Sequence, residues 1–178
     1  MFTMKQTKSR KTAILSLAWG LWIALAITQT ILSFFLFNTS GLRGLRYAGW
    51  LIWAVMCIFA LVPVVTLRGK GGVPKGRSYV DTTTLVTSGI YAVVRHPQYL
   101  SFILLSVSLI LLAQHWLITV IGLAAMAVVY AGIVPQADQA NIEKFGDDYN
   151  SYMQRVPRLN FVLGIIWLLR RQGCPDTK

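Results

Sequence analysis

The residues best suited to bind a charged small molecule end the polar segment 78–99, in the run Arg95-His96-Pro97-Gln98-Tyr99. An apolar run follows at once, and proline is favoured at the first position of a helix. The first backbone N–H groups of an α-helix have no acceptor within the helix, so they can bind an anion such as a carboxylate. We therefore expect His96 to be the N-cap of a helix that begins at Pro97, with Arg95 adding positive charge.

The composition is that of a membrane protein. Of the 178 residues, 55% are hydrophobic and 13% are charged, and the mean hydropathy is +0.57. A soluble domain of this size needs more charge on its surface, whereas a bilayer accepts apolar side chains that face outward. We predict an all-α, polytopic, integral membrane protein, with residues 1–178 as a single membrane domain.

Four apolar runs predict about four transmembrane helices, at residues 13–37, 48–67, 97–113 and 116–134. Only Gln114-His115 separates the last two, which predicts a tight helical hairpin with His115 as a polar turn residue. Pro63 predicts a kink or an early end of the second helix. The nine apolar residues 161–169 are too few to span a bilayer, so residues 161–171 are predicted to form an interfacial helix.

The basic residues indicate how the chain is oriented. Four precede the first span, two lie in the first loop, five lie between the second and third spans, none lies in the hairpin turn, and six follow the fourth span. The positive-inside rule then places both termini and the polar segments 78–99 and 135–160 in the cytosol. Contact with anionic lipid headgroups accounts for the net charge of +11, so no nucleic-acid partner is expected.

The hairpin also predicts which polar residues are neighbours. It returns the chain to the surface from which it entered the bilayer. We therefore expect Arg95-His96-Pro97, at the hairpin entrance, to lie near residues 135–143, at its exit.

Two signatures flank the hairpin. The first is Leu85-Val86-Thr87-Ser88-Gly89-Ile90-Tyr91, then three residues, then Arg95-His96-Pro97-Gln98-Tyr99. The second is Phe145-Gly146-Asp147-Asp148-Tyr149, then Tyr152, then Arg155-Val156-Pro157-Arg158. In sequence and spacing, residues 85–158 resemble the integral membrane methyltransferases typified by isoprenylcysteine carboxyl methyltransferase, with the related phospholipid methyltransferases.

The resemblance implies a cytosolic site for S-adenosyl-L-methionine. Tyr91 or Tyr99 would face its sulfonium or stack on its adenine, in cation–π contacts of about 0.5–2 kcal/mol. The family has two adjacent glutamates after the fourth span, where this chain has Ala137 and Asp138. No metal is implied, and Arg95 and His96 are assigned positioning only. The implied cofactor-binding residues are Thr83, Thr84, Leu85, Val86, Tyr91, Arg95, His96, Pro97, Gln98, Tyr99 and Asp138.

The resemblance further implies methyl transfer to an amphiphile dissolved in the membrane, such as a lipid headgroup amine, a thiol or a prenylcysteine-like group. The prenylcysteine enzymes have an arginine near the end of the fourth span, whereas residues 130–134 carry no cation. This difference argues against an acceptor that carries a carboxylate. The identity of the acceptor and the oligomeric state are left open by the sequence.

Structural interpretations stand beside the functional one. Tyr149 and Tyr152 are interpreted as interfacial aromatics that seat an amphipathic helix, and the glycine-rich residues 69–76 as a flexible linker or lid. The alternative function is a non-enzymatic membrane assembly or binding protein on the same scaffold. A small transporter is disfavoured because the predicted spans contain no charged residue.

Overall fold

The computed structural model describes the backbone of residues 2–172 and the side chains of residues 13–170. Within this range the chain is helical and contains no strand, which confirms the predicted all-α class. A 3₁₀ turn covers Gly89–Ala92 and a π-helical turn covers Val128–Ile133. The α-helices are α1 (Phe2–Phe35), α2 (Arg43–Lys70), α3 (Pro97–Ala113), α4 (Trp116–Ala127), α5 (Val134–Phe145), α6 (Asp147–Arg155) and α7 (Phe161–Gln172).

Three helical stretches are long and apolar enough to cross a membrane, namely Ala13–Phe35, Arg43–Lys70 and Trp116–Phe145. Large apolar side chains project from them, and Leu17 and Phe34 are 72% and 82% exposed. Lipid is the solvent that such surfaces require. The chain is an integral membrane protein. The predicted count of four crossings is not confirmed, because α3 has only 17 residues.

The chain forms two compact units. The first combines the chain up to Met56 with Phe102–Gln139, and the second combines Cys57–Ser101 with the chain from Ala140 onward. The cytosolic location of the termini and of segments 78–99 and 135–160 stays a prediction. The single membrane domain likewise stays a prediction.

Polar side chains join the helices of the first unit. The Gln29 side-chain amide, which is fully buried, donates to the Ser106 carbonyl at 3.1 Å. The Ser108 hydroxyl donates to the Gly49 carbonyl at 3.1 Å. Each bond therefore ties α3 to a neighbouring helix, Gln29 from α1 and Gly49 from α2, in a region where water is excluded.

One of two local signals sets a helix boundary, and the other does not. His115 is the N-cap of α4, and its side chain accepts a hydrogen bond from the Leu117 N–H at 3.2 Å, which confirms its predicted place in the hairpin turn. Pro63 lies inside α2, which continues for seven residues to Lys70. Of the kink or early end predicted at Pro63, the early end is therefore wrong.

The fourth predicted span does not end at residue 134 but continues through a π-helical turn into α5. The Val134 N–H donates to the Val129 carbonyl, five residues earlier. Pro135 is the physical cause we assign to this turn, since a proline removes one helical donor and its ring crowds the carbonyl four residues before it. The Gln136 side-chain amide donates to the Gly132 carbonyl at 2.9 Å and so satisfies one carbonyl of the widened turn.

Candidate functional site

The second unit joins the two signatures directly through backbone hydrogen bonds. The Arg95 N–H donates to the Pro157 carbonyl at 3.1 Å, and the His96 N–H donates to the Arg158 carbonyl at 3.3 Å. The end of the first signature thus pairs with the end of the second, although about 60 residues separate them in the sequence. Ten of the eleven predicted site residues belong to this unit; Asp138 does not.

The start of α3 has the predicted form. The helix begins at Pro97, and the Leu100 N–H donates to the His96 carbonyl at 3.0 Å. The amides of Gln98 and Tyr99 therefore lie in the first turn, where a helix offers no acceptor of its own. The His96 imidazole is 6% exposed and stacks on the Tyr99 ring, with the ring centroids 5.3 Å apart. The sequence predicted this helix start correctly; its role in binding an anion stays a prediction.

Tyr149 and Tyr152 hold the predicted site residues in place. The Tyr152 hydroxyl donates to the Tyr91 carbonyl at 2.6 Å, and the Tyr149 hydroxyl lies 3.4 Å from His96 Nε2. Both tyrosines are buried, at 6% and 2% exposure. Their interpretation as interfacial aromatics is wrong, because both are buried within the unit. Sequence reasoning quoted them in the second signature but missed their contacts with the first.

The same buried residues also hold residues 83–86, which precede the 3₁₀ turn. Tyr149, Tyr152 and Val156 form a buried cluster against which Leu85, Ile142, Phe145 and Met153 pack. Tyr149 and Tyr152 are three residues apart in α6 and so share one helical face, and Val156 follows as the C-cap of the helix. Leu85 packs against this cluster. Val86, the next predicted site residue, is buried as well. Leu85 and Val86 therefore lie in a packed layer that supports the exposed Thr83 and Thr84.

The glycine-rich segment holds Thr83 and Thr84 and is not a free linker. The Gly71 carbonyl accepts hydrogen bonds from the N–H groups of Thr83 and Thr84, at 2.8 and 3.1 Å. The Thr83 hydroxyl donates to the Gly72 carbonyl at 2.8 Å. Gly72 has a φ of +62°, and a Cβ there would overlap the Thr83 hydroxyl. The flexibility predicted for residues 69–76 is therefore wrong for the part that contacts the threonines.

Two further tyrosines surround the 3₁₀ turn. The Gln98 side-chain amide donates to the Tyr79 hydroxyl at 3.0 Å, which connects α3 to the loop before it. Burial raises the pKa of Tyr91, and the neighbouring Tyr79 and Tyr99 phenols raise it further. A buried phenol resists ionisation because the charged form loses its hydration. Tyr91 therefore keeps its phenolic proton and presents an uncharged aromatic ring.

Helix α7 packs against the same region. A Cβ placed at Gly164 would overlap the Val93 carbonyl, so the backbone of α7 approaches the loop two residues before Arg95. The Phe161 and Phe59 rings pack with centroids 5.5 Å apart. The opposite side of α7 exposes apolar residues, including Leu169 at 61%. The helix predicted to lie at the membrane interface also supports the candidate site.

Asp138 belongs to the first unit and is only 4% exposed. The π-helical turn explains this burial. The bond between Val134 and Val129 puts Val134 one turn above Val129, and Asp138 follows Val134 by four residues on the same buried face. Without the extra residue, this face would be rotated by about 100°. The predicted contact between Asp138 and the cofactor stays a prediction.

The fold is that of an integral membrane protein, and the candidate site residues of its second unit are held together by contacts between residues 70–99 and 140–158. Residues 77–140 match the model of the isoprenylcysteine carboxyl methyltransferase (ICMT) family. This match contains the whole first signature and ends after Asp138. The resemblance predicted from the sequence is confirmed.

Curated proteins with related sequences carry the same family name. The chain is 33% identical over 103 residues to protein-S-isoprenylcysteine O-methyltransferase B of Arabidopsis thaliana, which covers 51% of this chain and 50% of that protein. It is 30% identical to the protein-S-isoprenylcysteine O-methyltransferase of Schizosaccharomyces pombe (51% and 42% covered) and 31% identical to that of Mus musculus (48% and 30% covered). The chain thus spans half or less of the length of these relatives. No solved structure matches the chain significantly.

Proposed function

We propose that this protein is an S-adenosylmethionine-dependent methyltransferase that methylates an amphiphile dissolved in the membrane. The observation that supports this most directly is the backbone pairing of Arg95 and His96 with Pro157 and Arg158. It unites the two sequence signatures that resemble the methyltransferase family. The family match over residues 77–140 and the apolar spans support the same proposal.

The residues of the second unit fit the chemical groups of the cofactor. The helix start at Pro97 suits its carboxylate, since backbone N–H groups and the positive end of the helix dipole favour an anion. The neutral Tyr91 ring and the Tyr99 ring suit its sulfonium or adenine. Thr83 and Thr84, which are exposed and fixed by Gly71, offer hydroxyls to the polar parts of the nucleoside. Asp138, which belongs to the first unit, is kept as a separate proposal for the ammonium or a ribose hydroxyl.

The work of the protein in this reaction is positioning. S-adenosylmethionine, when bound, supplies a methyl group on a sulfur that is already an excellent leaving group. Orienting an acceptor next to that methyl group lowers the barrier by up to about 7–11 kcal/mol. Tyr149 and Tyr152, which contact His96 and Tyr91, would hold the site in one geometry. Arg95 and His96 are therefore proposed as positioning residues.

We propose an acceptor whose reacting group is an amine or a thiol at the cytosolic surface; a prenylcysteine-like group is the less favoured alternative because it carries a carboxylate. An amphiphile is favoured because the unit that carries the site contains apolar helix ends beside exposed polar segments. Residues 130–134, Tyr-Ala-Gly-Ile-Val, offer no cation to a substrate carboxylate. The cytosolic location rests on the distribution of basic residues.

A binding titration tests the proposal. The purified protein in detergent is titrated with S-adenosylhomocysteine, the demethylated cofactor, by calorimetry. His96→Asn removes the imidazole and keeps a residue that can cap a helix. His115→Asn is the matched control, because His115 is also an N-cap but lies in the hairpin turn. Saturable binding that His96→Asn weakens and His115→Asn preserves is expected. Failure of the unmodified protein to bind the cofactor product would refute the proposal.

The acceptor class is tested separately. Membranes that contain the protein are incubated with methyl-labelled S-adenosylmethionine, and the lipid and protein fractions are separated. Label in a lipid or prenylated fraction, absent with His96→Asn, is expected. Label confined to water-soluble products would contradict a membrane-dissolved acceptor.

A further inference from the structure

A strongly basic segment leaves the membrane helix α2 directly. Arg68 and Lys70 lie in its last turn, and Lys75 and Arg77 follow within seven residues. The ten residues 68–77 contain these four cations and no acidic residue. All four of these side chains are exposed. The proposed cofactor chemistry uses none of them.

This segment is held in place at several points. The Gly71 N–H donates to the Leu67 carbonyl at 2.8 Å, which extends the helical end of α2. The Gly71 carbonyl accepts from Thr83 and Thr84 as described above. The Lys70 ammonium donates to the Ser88 hydroxyl at 3.0 Å. The cations are therefore presented from a fixed backbone at the end of a membrane helix.

We propose that residues 68–77 bind the phosphate-bearing headgroups of anionic phospholipids, in the leaflet at which α2 ends. Basic residues next to a membrane helix lie within a Debye length of the headgroups, about 8 Å at physiological salt, where their attraction to anionic lipid is strong. A nucleic acid is the weaker partner because α2 delivers this segment to the bilayer surface. The bound lipid would lie next to Thr83, Thr84 and Ser88, beside the candidate site.

The test compares two double variants in nanodiscs. Lys75→Gln/Arg77→Gln removes two exposed cations of the segment. Arg43→Gln/Arg46→Gln is the control for lipid retention, since it removes two cations from the other end of the same helix; Arg46 also donates to the Asn38 carbonyl at 3.1 Å, so the unfolding temperature of this control is not compared. Each protein is placed in phosphatidylcholine nanodiscs with and without phosphatidylserine. Bound phosphatidylserine is counted by native mass spectrometry, and thermal unfolding is recorded on the same samples.

We expect phosphatidylserine to be retained by the unmodified protein and by the control. Lys75→Gln/Arg77→Gln should weaken its retention roughly 30-fold at low salt, since each cation contributes about a fivefold change in affinity. Equal retention by both double variants would overturn the proposal. So would retention that is independent of the headgroup charge, or stabilisation in plain phosphatidylcholine by added inorganic phosphate or by RNA. The assay does not measure methyl transfer, so its result is independent of the proposed function.

Discussion

The hydrogen bond between the Tyr152 hydroxyl and the Tyr91 carbonyl allows a sharp test of how the site is held together. Its 2.6 Å length and the burial of both residues make it a strong contact. Tyr152→Phe removes the donor and leaves the carbonyl buried without it, at a cost of about 1–3 kcal/mol. If this cost falls wholly on the 3₁₀ turn, affinity for S-adenosylhomocysteine falls by about 5- to 150-fold.

Calorimetric titration measures the change in affinity for S-adenosylhomocysteine. Thermal unfolding of the same preparations measures the change in stability. Tyr47→Phe is the matched control, because Tyr47 is 73% exposed and loses the same atom. We expect Tyr152→Phe to lower both the cofactor affinity and the unfolding temperature, and Tyr47→Phe to change neither. A Tyr152→Phe protein that unfolds earlier but binds with unchanged affinity would refute the reasoning. The hydroxyl would then stabilise the unit without positioning the site.

Three further predictions concern the backbone. Gly164→Ala forces a methyl group onto the Val93 carbonyl and should clearly lower the unfolding temperature. Gly20→Ala is the control, because a Cβ there meets no atom within 4 Å, and it should leave the unfolding temperature unchanged. Equal effects of the two substitutions would contradict the close packing of α7. Gly72→Ala should lower the free energy of unfolding, measured by chemical unfolding, by about 1–2 kcal/mol because alanine disfavours a φ of +62°; an unchanged free energy would contradict this. Deleting Ala131 should replace the π-helical turn by a regular helix and turn the residues that follow by about 100°. Cofactor binding should then fall as much as it does in Asp138→Ala. Unchanged binding would exclude a role for the π-helical turn in placing Asp138.

The parts of the fold that the sequence predicts are those set by local chemistry. Pro97 starts α3 and His115 caps α4 because each acts on the backbone within a few residues of itself. The apolar helices can be predicted for the same reason, since membrane insertion of a segment depends on its own length and composition. The all-α class and the start of the candidate site follow from such signals alone.

The remaining features depend on contacts between distant residues. An aromatic residue between polar neighbours looks the same in sequence whether it faces lipid or a core, so the burial of Tyr149 and Tyr152 could not be read from the pattern. The contacts of Gly71 cannot be read from the sequence because its partners, Thr83 and Thr84, lie twelve and thirteen residues further along the chain. Pro135 did carry a signal for an irregular turn, since a proline directly after an apolar span disturbs the preceding helix.

The contact between Gly164 and the Val93 carbonyl also has a practical meaning for anyone who prepares this protein. A chain that ends before Phe161 would lose the contact between α7 and Val93 and the packing of the Phe161 ring on the Phe59 ring. Purification tags and fusion partners should therefore be attached beyond α7, with its whole length retained. A shortened protein that ends at Arg158 is expected to give misleading binding data, because the loop that carries Arg95 would have lost its support.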